Sequence, residues 1–392
     1  MKKIVFLIIC LFIPITIYSL EFPTVNSKIV EIYDLNDKKI LYEIGSNEVT
    51  SIASLTKIVT TITAIENIEK LDEEVIITYS ILKTVSPEAS IAGLKVGDKL
   101  TYRDLLYASM LPSGADATNS IAILSSGSID NFVNKMNDLV KKIGLTNTHF
   151  KNVTGLDDKN HYSTADDIRK ILEYALKNET FKKIYTTKKY TMINGVTVKS
   201  TLYKYGANES DINKIIGSKT GFTFDAGYCL SSLSNINNHD VITVVIKADK
   251  NYSIKDTITL IDFMNNNYNE ETLIEKNILI KTLPVNLSKI EKYKVYSDKK
   301  VTKYLPSDYD KNKFKIKYTG LKELSYKNHK GDKIGVVKYY YDNEVIYKQD
   351  IFLNKKIKLD FIKLIKKYHK LIILIISILL LIIIIKCKRK NT

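Results

Sequence analysis

Ser54-Leu55-Thr56-Lys57 places a hydroxyl three residues before an amine. On a helix, residues i and i+3 share a face, so the two side chains are within reach of each other. A serine hydroxyl is a weak nucleophile until a base takes its proton. A lysine becomes such a base when burial or a neighbouring cation depresses its pKa. The field at a helix N-terminus adds to this by favouring negative charge on the serine oxygen. The same spacing recurs at Ser80/Lys83 and at Ser297/Lys300. In a lysine-rich chain, spacing alone therefore does not separate a catalytic pair from an ordinary helix start.

Two other segments carry comparable signals. In "MLPSGADAT", Ser113-Gly114 is expected to form an exposed turn before another apolar helix. Thr101 and Asp104 predict a capping box that opens the first helix, and Pro112 requires it to end by Leu111. In "IIGSKTGFTFDAGYCL", Lys219-Thr220-Gly221 is the one K-T-G of the chain and stands where a strand begins. Gly221 has no side chain, so a ligand can approach the backbone there.

In this order, Ser54-x-x-Lys57, Ser113-Gly114-Ala115 and Lys219-Thr220-Gly221 resemble the three motifs of the penicilloyl-serine transferases. The surrounding text, "ASLTKIVT", "AGLKVGDKLTYRDLLYASMLPSGADA", "THFKNVTGLDDKNHYSTADDI" and "GSKTGFTFDAGYCL", is similar to the serine-type D-alanyl-D-alanine carboxypeptidases, the low-molecular-weight penicillin-binding proteins of peptidase family S11. The resemblance runs from about residue 24 to the C-terminal anchor. It implies an α+β fold, with a penicillin-binding-protein/β-lactamase-like transpeptidase domain, a small C-terminal all-β domain and a C-terminal membrane helix.

By the same resemblance, Ser54 is the acylated nucleophile, Lys57 its general base and Ser113 a proton relay. Lys219 and Thr220 would bind the substrate carboxylate. Gly221 and Thr223 would line the substrate, and the N–H groups of Ser54 and Phe222 would form an oxyanion hole. The implied reaction removes the terminal D-Ala of a peptidoglycan stem pentapeptide through an acyl-enzyme, in cell-wall biogenesis and remodelling. β-Lactams would acylate the same serine as inhibitors.

Two positions depart from the family. Ala115 stands where an asparagine amide usually orients the substrate; Asp116 beside it is shared with the usual motif and is no replacement. Ser253, with Lys250 and Lys255 nearby, stands where related enzymes often carry a carboxylate-binding arginine. These departures keep open a weakly active or inactive wall-binding protein, while a β-lactamase fits the additional β domain and anchor less well.

The elements that must position these residues follow from patterning. "KIVEIY" and "KILYEI" flank "DLND" as a hairpin, "HDVITVVIKA" reads as a buried strand, and a helix is expected from about Ser253 to Asn265. "KFKIKY" alternates strictly, and "GVVKYYYDNEVIYKQDIFL" predicts a hairpin turning at Asp342-Asn343. The expected organisation is a catalytic domain at 24–270 and a β domain at 280–354.

Beyond them come a basic amphipathic segment at 355–370, a membrane anchor at 371–385 and a cytoplasmic tail at 386–392. Residues 1–19 have a positive start and an apolar run, the pattern of a secretory signal, with an uncleaved anchor as the alternative. The expected location is thus outside the cell membrane, held by the C-terminal helix.

The chain has 392 residues, 59 Lys+Arg against 43 Asp+Glu, and three cysteines. The basic balance suits an anionic partner such as membrane lipid. The absence of a zinc-finger spacing, an RNA-binding motif or a concentrated basic block in the middle of the chain argues against nucleic acid. Cys229 is alone in the exported part and reads as a small core residue. The histidines show no metal-ligand spacing, so no metal or cofactor is expected.

Overall fold

The computed structural model describes residues 20–204 and 208–390; the expected signal, at 1–19, and the last two residues of the tail lie outside the described residues. The chain divides into two units, meeting in sequence at Asn269 and Glu270.

In the first unit, β1 (Ile29–Asp34) and β2 (Lys39–Ile44) form the hairpin expected of the two runs that flank "DLND". Three later strands join them: β3 (Gly217–Thr223), β4 (Gly227–Ile236) and β5 (His239–Ala248). The sheet order is β2-β1-β5-β4-β3, with antiparallel neighbours throughout. β5 is apolar in succession because both faces of the sheet are covered: every residue from Val241 to Ile246 is buried. β3 stands at the sheet edge and carries Lys219-Thr220-Gly221 within the strand rather than at its start.

Helices α1 (Thr56–Asn67), α2 (Tyr102–Met110), α3 (Ala115–Ser126), α4 (Ile129–Ile143) and α5 (Ala165–Ala175) supply much of the core. Ile58 and Ile62 of α1 share that core with Leu105, Phe132, Met136, Leu172, Ile242 and Val244. The capping box at the start of α2 is present: Thr101 Oγ1 accepts from Asp104 N at 3.0 Å, and Asp104 Oδ2 accepts from Thr101 N at 2.9 Å. Helix α6 (Tyr252–Asn267) closes the unit against β4 and β5.

The second unit follows strand periodicity closely. β6 (Leu279–Asn286) pairs with β7 (Lys292–Tyr296), and β8 (Phe314–Gly320), β9 (Lys333–Tyr341) and β10 (Glu344–Phe352) form a three-stranded antiparallel sheet. Val337, Tyr339 and Tyr341 point into the core of this unit, while Val336, Lys338 and Tyr340 between them are half-buried. Asp342 and Asn343 both have positive φ, 51° and 67°, as a two-residue type I′ hairpin turn requires.

After the sheet, α7 (Phe361–Lys390) runs without a break. Its segment Phe361–Lys386, 26 residues, is long and apolar enough to cross a bilayer. The basic segment expected as one amphipathic helix divides in two. Ile357 lies before the helix and is buried in the core of this unit, and the rest is the first turns of α7.

Candidate active site

Ser54 sits in a short 3-10 turn, Ala53–Leu55, that leads into α1. Ala53 is held at φ +47°, a backbone region that residues with a Cβ rarely adopt. The turn is fixed from below. His161 Nε2 lies 2.8 Å from Thr56 Oγ1, and Thr56 Oγ1 donates to Ala53 O at 2.9 Å. His161 Nδ1 accepts from Lys151 N at 3.2 Å, which leaves Nε2 as the protonated donor. Burial drives the His161 pKa down to about 4, so the ring stays neutral near pH 7.

Lys57 is nearly fully buried, at 2% exposure. Its Nζ lies 3.0 Å from Ser54 Oγ and donates to Thr154 O at 2.7 Å. Burial lowers its pKa to about 7, against the opposing pull of the Asp116 carboxylate. A neutral amine there can give one hydrogen to Thr154 O and accept the Ser54 proton on its lone pair. That is the poise expected of a general base acting near neutral pH.

Lys219 is buried as well, at 1% exposure, and its Nζ donates to Thr220 O at 2.7 Å. Its pKa lies well below the usual lysine value, first because of burial and then because of the charge on Lys57. Thr220 Oγ1 lies 2.5 Å from Thr201 Oγ1. A Cβ on Gly221 would lie 2.9 Å from Ser54 N, so β3 packs directly on the backbone of Ser54. Phe222 is 40% exposed and packs at a tilt against Tyr228, and Thr223 Oγ1 donates to Asp157 Oδ1 at 2.7 Å.

Ser113 lies in the turn before α3 with φ +63°, and it is buried rather than exposed as expected, because the turn is covered by the packing around α3. Ala115 opens that helix; its N–H donates to Ser90 O at 2.7 Å, and its side chain faces a cavity of about 110 Å³ shared with Asn119 and Thr154. Asp116 does not take over the role of an amide. Its carboxylate accepts from the N–H groups of Ala92, Gly93 and Leu94 at 2.8, 2.9 and 3.0 Å, clamping that loop onto α3. Ser253 is buried within α6, and the Lys255 ammonium lies 5.1 Å from the centre of the Tyr252 ring.

The two other Ser/Lys pairs are disengaged. Ser80 Oγ bonds Thr78 Oγ1, and Ser297 Oγ donates to Glu275 O. Cys229 is fully buried and its thiol is pushed up to about 12 by burial, so it is inert core.

The segment from Asn152 to Gly155 entered the sequence reading only as part of a resembling stretch, with no role assigned to it. Thr154 O receives the Lys57 hydrogen bond, and Asn152 Oδ1 holds the turn by accepting from Gly155 N at 2.7 Å and Leu156 N at 3.2 Å. Gly155 has φ +89°, and a Cβ there would lie 2.0 Å from Ala53 O. An asparagine three residues before a glycine was the available signal, since that pair builds tight turns.

Comparisons with known proteins point to one family. Residues 17–250 match the sequence family described as D-alanyl-D-alanine carboxypeptidase, and residues 268–359 match the C-terminal domain of penicillin-binding protein 5. The chain is 29% identical over 335 residues to the D-alanyl-D-alanine carboxypeptidase DacF of Bacillus subtilis, spanning 84% of this chain and 85% of that protein. It is 36% identical over 223 residues to a D-alanyl-D-alanine carboxypeptidase of Streptomyces strain K15, spanning 53% of this chain and 76% of that one. Penicillin binding protein 5 from Haemophilus influenzae superposes with a TM-score of 0.62 at 25% identity, over 86% of this chain and 99% of that structure.

Proposed function

The chain belongs to the serine-type D-alanyl-D-alanine carboxypeptidase family and is a hydrolase of cell-wall peptidoglycan metabolism; from this we propose that it removes the terminal D-Ala of stem pentapeptides through an acyl-enzyme on Ser54. The observation that carries the proposal is the buried Lys57 amine at 3.0 Å from Ser54 Oγ, with its pKa lowered to about 7.

Lys57 takes the Ser54 proton as Oγ attacks the peptide carbonyl. The N–H groups of Ser54 and Phe222 stabilise the oxyanion as it develops. Ser113 passes a proton to the departing D-Ala, and Lys219 and Thr220 face its carboxylate. Gly221 and Thr223 line the substrate along the free edge of β3. Water then hydrolyses the ester. A β-lactam forms the same ester, which blocks the site. In this reading α7 holds the second unit at the membrane surface, the first unit works outside the cell, and the segment 1–19 directs export.

Incubation with a fluorescent penicillin tests the nucleophile. A covalent label that disappears in Ser54→Ala is the expected result; equal labelling of the variant would exclude Ser54. Release of D-Ala from a pentapeptide tests the hydrolase. Ala115 supports a second reading, a penicillin-binding protein of low turnover, which labelling without D-Ala release would establish.

A further inference from the structure

The carboxylate of a D-Ala terminus needs hydrogen-bond donors, and a guanidinium is the side chain best matched to it. This chain has three arginines, at 103, 169 and 389. Arg103 is committed to Asp72, with Nε and Nη2 at 2.6 and 2.9 Å from the two carboxylate oxygens. Arg169 is buried among Glu31, Asp166 and Glu173. Arg389 lies in α7 of the other unit. The first unit therefore has no uncommitted guanidinium to offer, and recognition of the carboxylate must rest on hydroxyl and amine donors.

Thr201 is placed to govern one of them. It lies in a short 3-10 turn, Thr201–Tyr203, whose first N–H donates to Leu111 O at 3.0 Å, two residues before Ser113. Its hydroxyl lies 2.5 Å from that of Thr220, and both residues are buried, at 9% and 4% exposure. One residue thus joins the turn of the second motif to the strand of the third. Between two isolated hydroxyls either can donate. A carboxylate beside Thr220 removes that freedom: it only accepts, so Thr220 must donate to it, and the Thr220 oxygen is then left to accept from Thr201. Chains of hydrogen bonds in a buried site polarise and strengthen one another.

We propose that Thr201 is the positioning residue for carboxylate recognition: its hydroxyl donates to Thr220 Oγ1 and turns the Thr220 proton toward the substrate terminus, giving the enzyme its preference for a free carboxylate in the absence of an arginine. This rests on the carboxypeptidase reading given above. The two are separable, because D-Ala release by the unmodified chain tests the reaction, whereas Thr201 is tested by binding without turnover.

The test uses the full chain carrying Ser54→Ala. Affinities are measured for a peptide ending in D-Ala-D-Ala and for the same peptide with its C-terminal carboxylate amidated. Thr201→Val, which keeps the shape and removes the donor, is expected to weaken the acid about tenfold while leaving the amide nearly unchanged. Thr201→Ser should restore the preference. Equal weakening of acid and amide would assign Thr201 a purely structural role and overturn the proposal, as would an acid-to-amide ratio unchanged in Thr201→Val. Should the valine variant melt early, Thr201→Ala is read by the same ratio against Thr201→Ser, with the same outcomes.

Discussion

Helix α1 and the hairpin β9–β10 bury their residues in opposite ways. In the hairpin, every second residue of β9 from Val337 to Tyr341 is buried and its neighbours are only half-buried. In α1, the nine residues from Thr56 to Ala64 are all buried, Lys57 and four threonines among them. The hairpin is built from side-chain periodicity. The helix holds polar groups in the interior, and three of them are paired, Thr56 to Ala53 O, Lys57 to Thr154 O and Thr60 to Val153 O, while the buried hydroxyls of Thr61 and Thr63 have no partner among the described residues. Burying polar groups costs stability unless each is paired. Here that cost produces a lysine with the pKa of a base. Chemistry and regular patterning thus occupy different units of the same chain.

The sharpest way to test this division is to remove the proposed nucleophile. Ser54→Ala should lower D-Ala release by about 10⁴-fold or more, measured as kcat/KM, with little change in melting temperature. Gly155→Ala comes next, since its methyl would meet Ala53 O at 2.0 Å. It should cost melting temperature and penicillin acylation together; normal acylation would mean that the Ala53 turn tolerates displacement. Ala115→Asn adds an amide beside a cavity of about 110 Å³. Turnover should rise by about 10- to 100-fold, because a missing oriented donor costs about 10²–10³ in comparable sites.

The pH profile gives a smaller effect. As the proposed base Lys57 would act deprotonated, and its pKa is lowered to about 7, so the acylation rate should fall about tenfold per pH unit below 7 and level off above it. A flat profile from pH 5 to 8 would remove Lys57 as the base. The smallest effect is expected from the other side of the comparison. Leu283→Ala, in the core of the second unit, should destabilise that unit by about 2–5 kcal/mol and leave the acylation rate of Ser54 unchanged.

Much of this fold was legible because local rules were obeyed. The β1–β2 hairpin, the capping box of α2, the stop before Pro112 and the Asp342-Asn343 turn all follow from residue type and spacing. The site was legible in part. The Ser54/Lys57 spacing, shared with two other pairs, was separated from them only by the segments at 113 and 219. What spacing does not carry is tertiary partnership. Nothing local marks Thr154 as the residue whose backbone receives Lys57, because a carbonyl has no residue type. The bond between Thr201 and Thr220 joins two threonines in a chain with many. The break before α7 was also hidden, since Ile357 fits the helical period of the following segment yet is held by the core of the β unit.

The Thr154 carbonyl also bears on when this protein becomes reactive. It reaches Ser54 and Lys57 across 100 and 97 residues of chain. The burial that lowers the Lys57 pKa exists only after those segments have met. Before then Lys57 is an ordinary charged amine and Ser54 an ordinary alcohol, whatever their spacing. A chain still extended is therefore chemically silent toward peptides and β-lactams alike. Acquisition of a penicillin label during refolding would thus report when these distant segments have come together around Ser54 and Lys57.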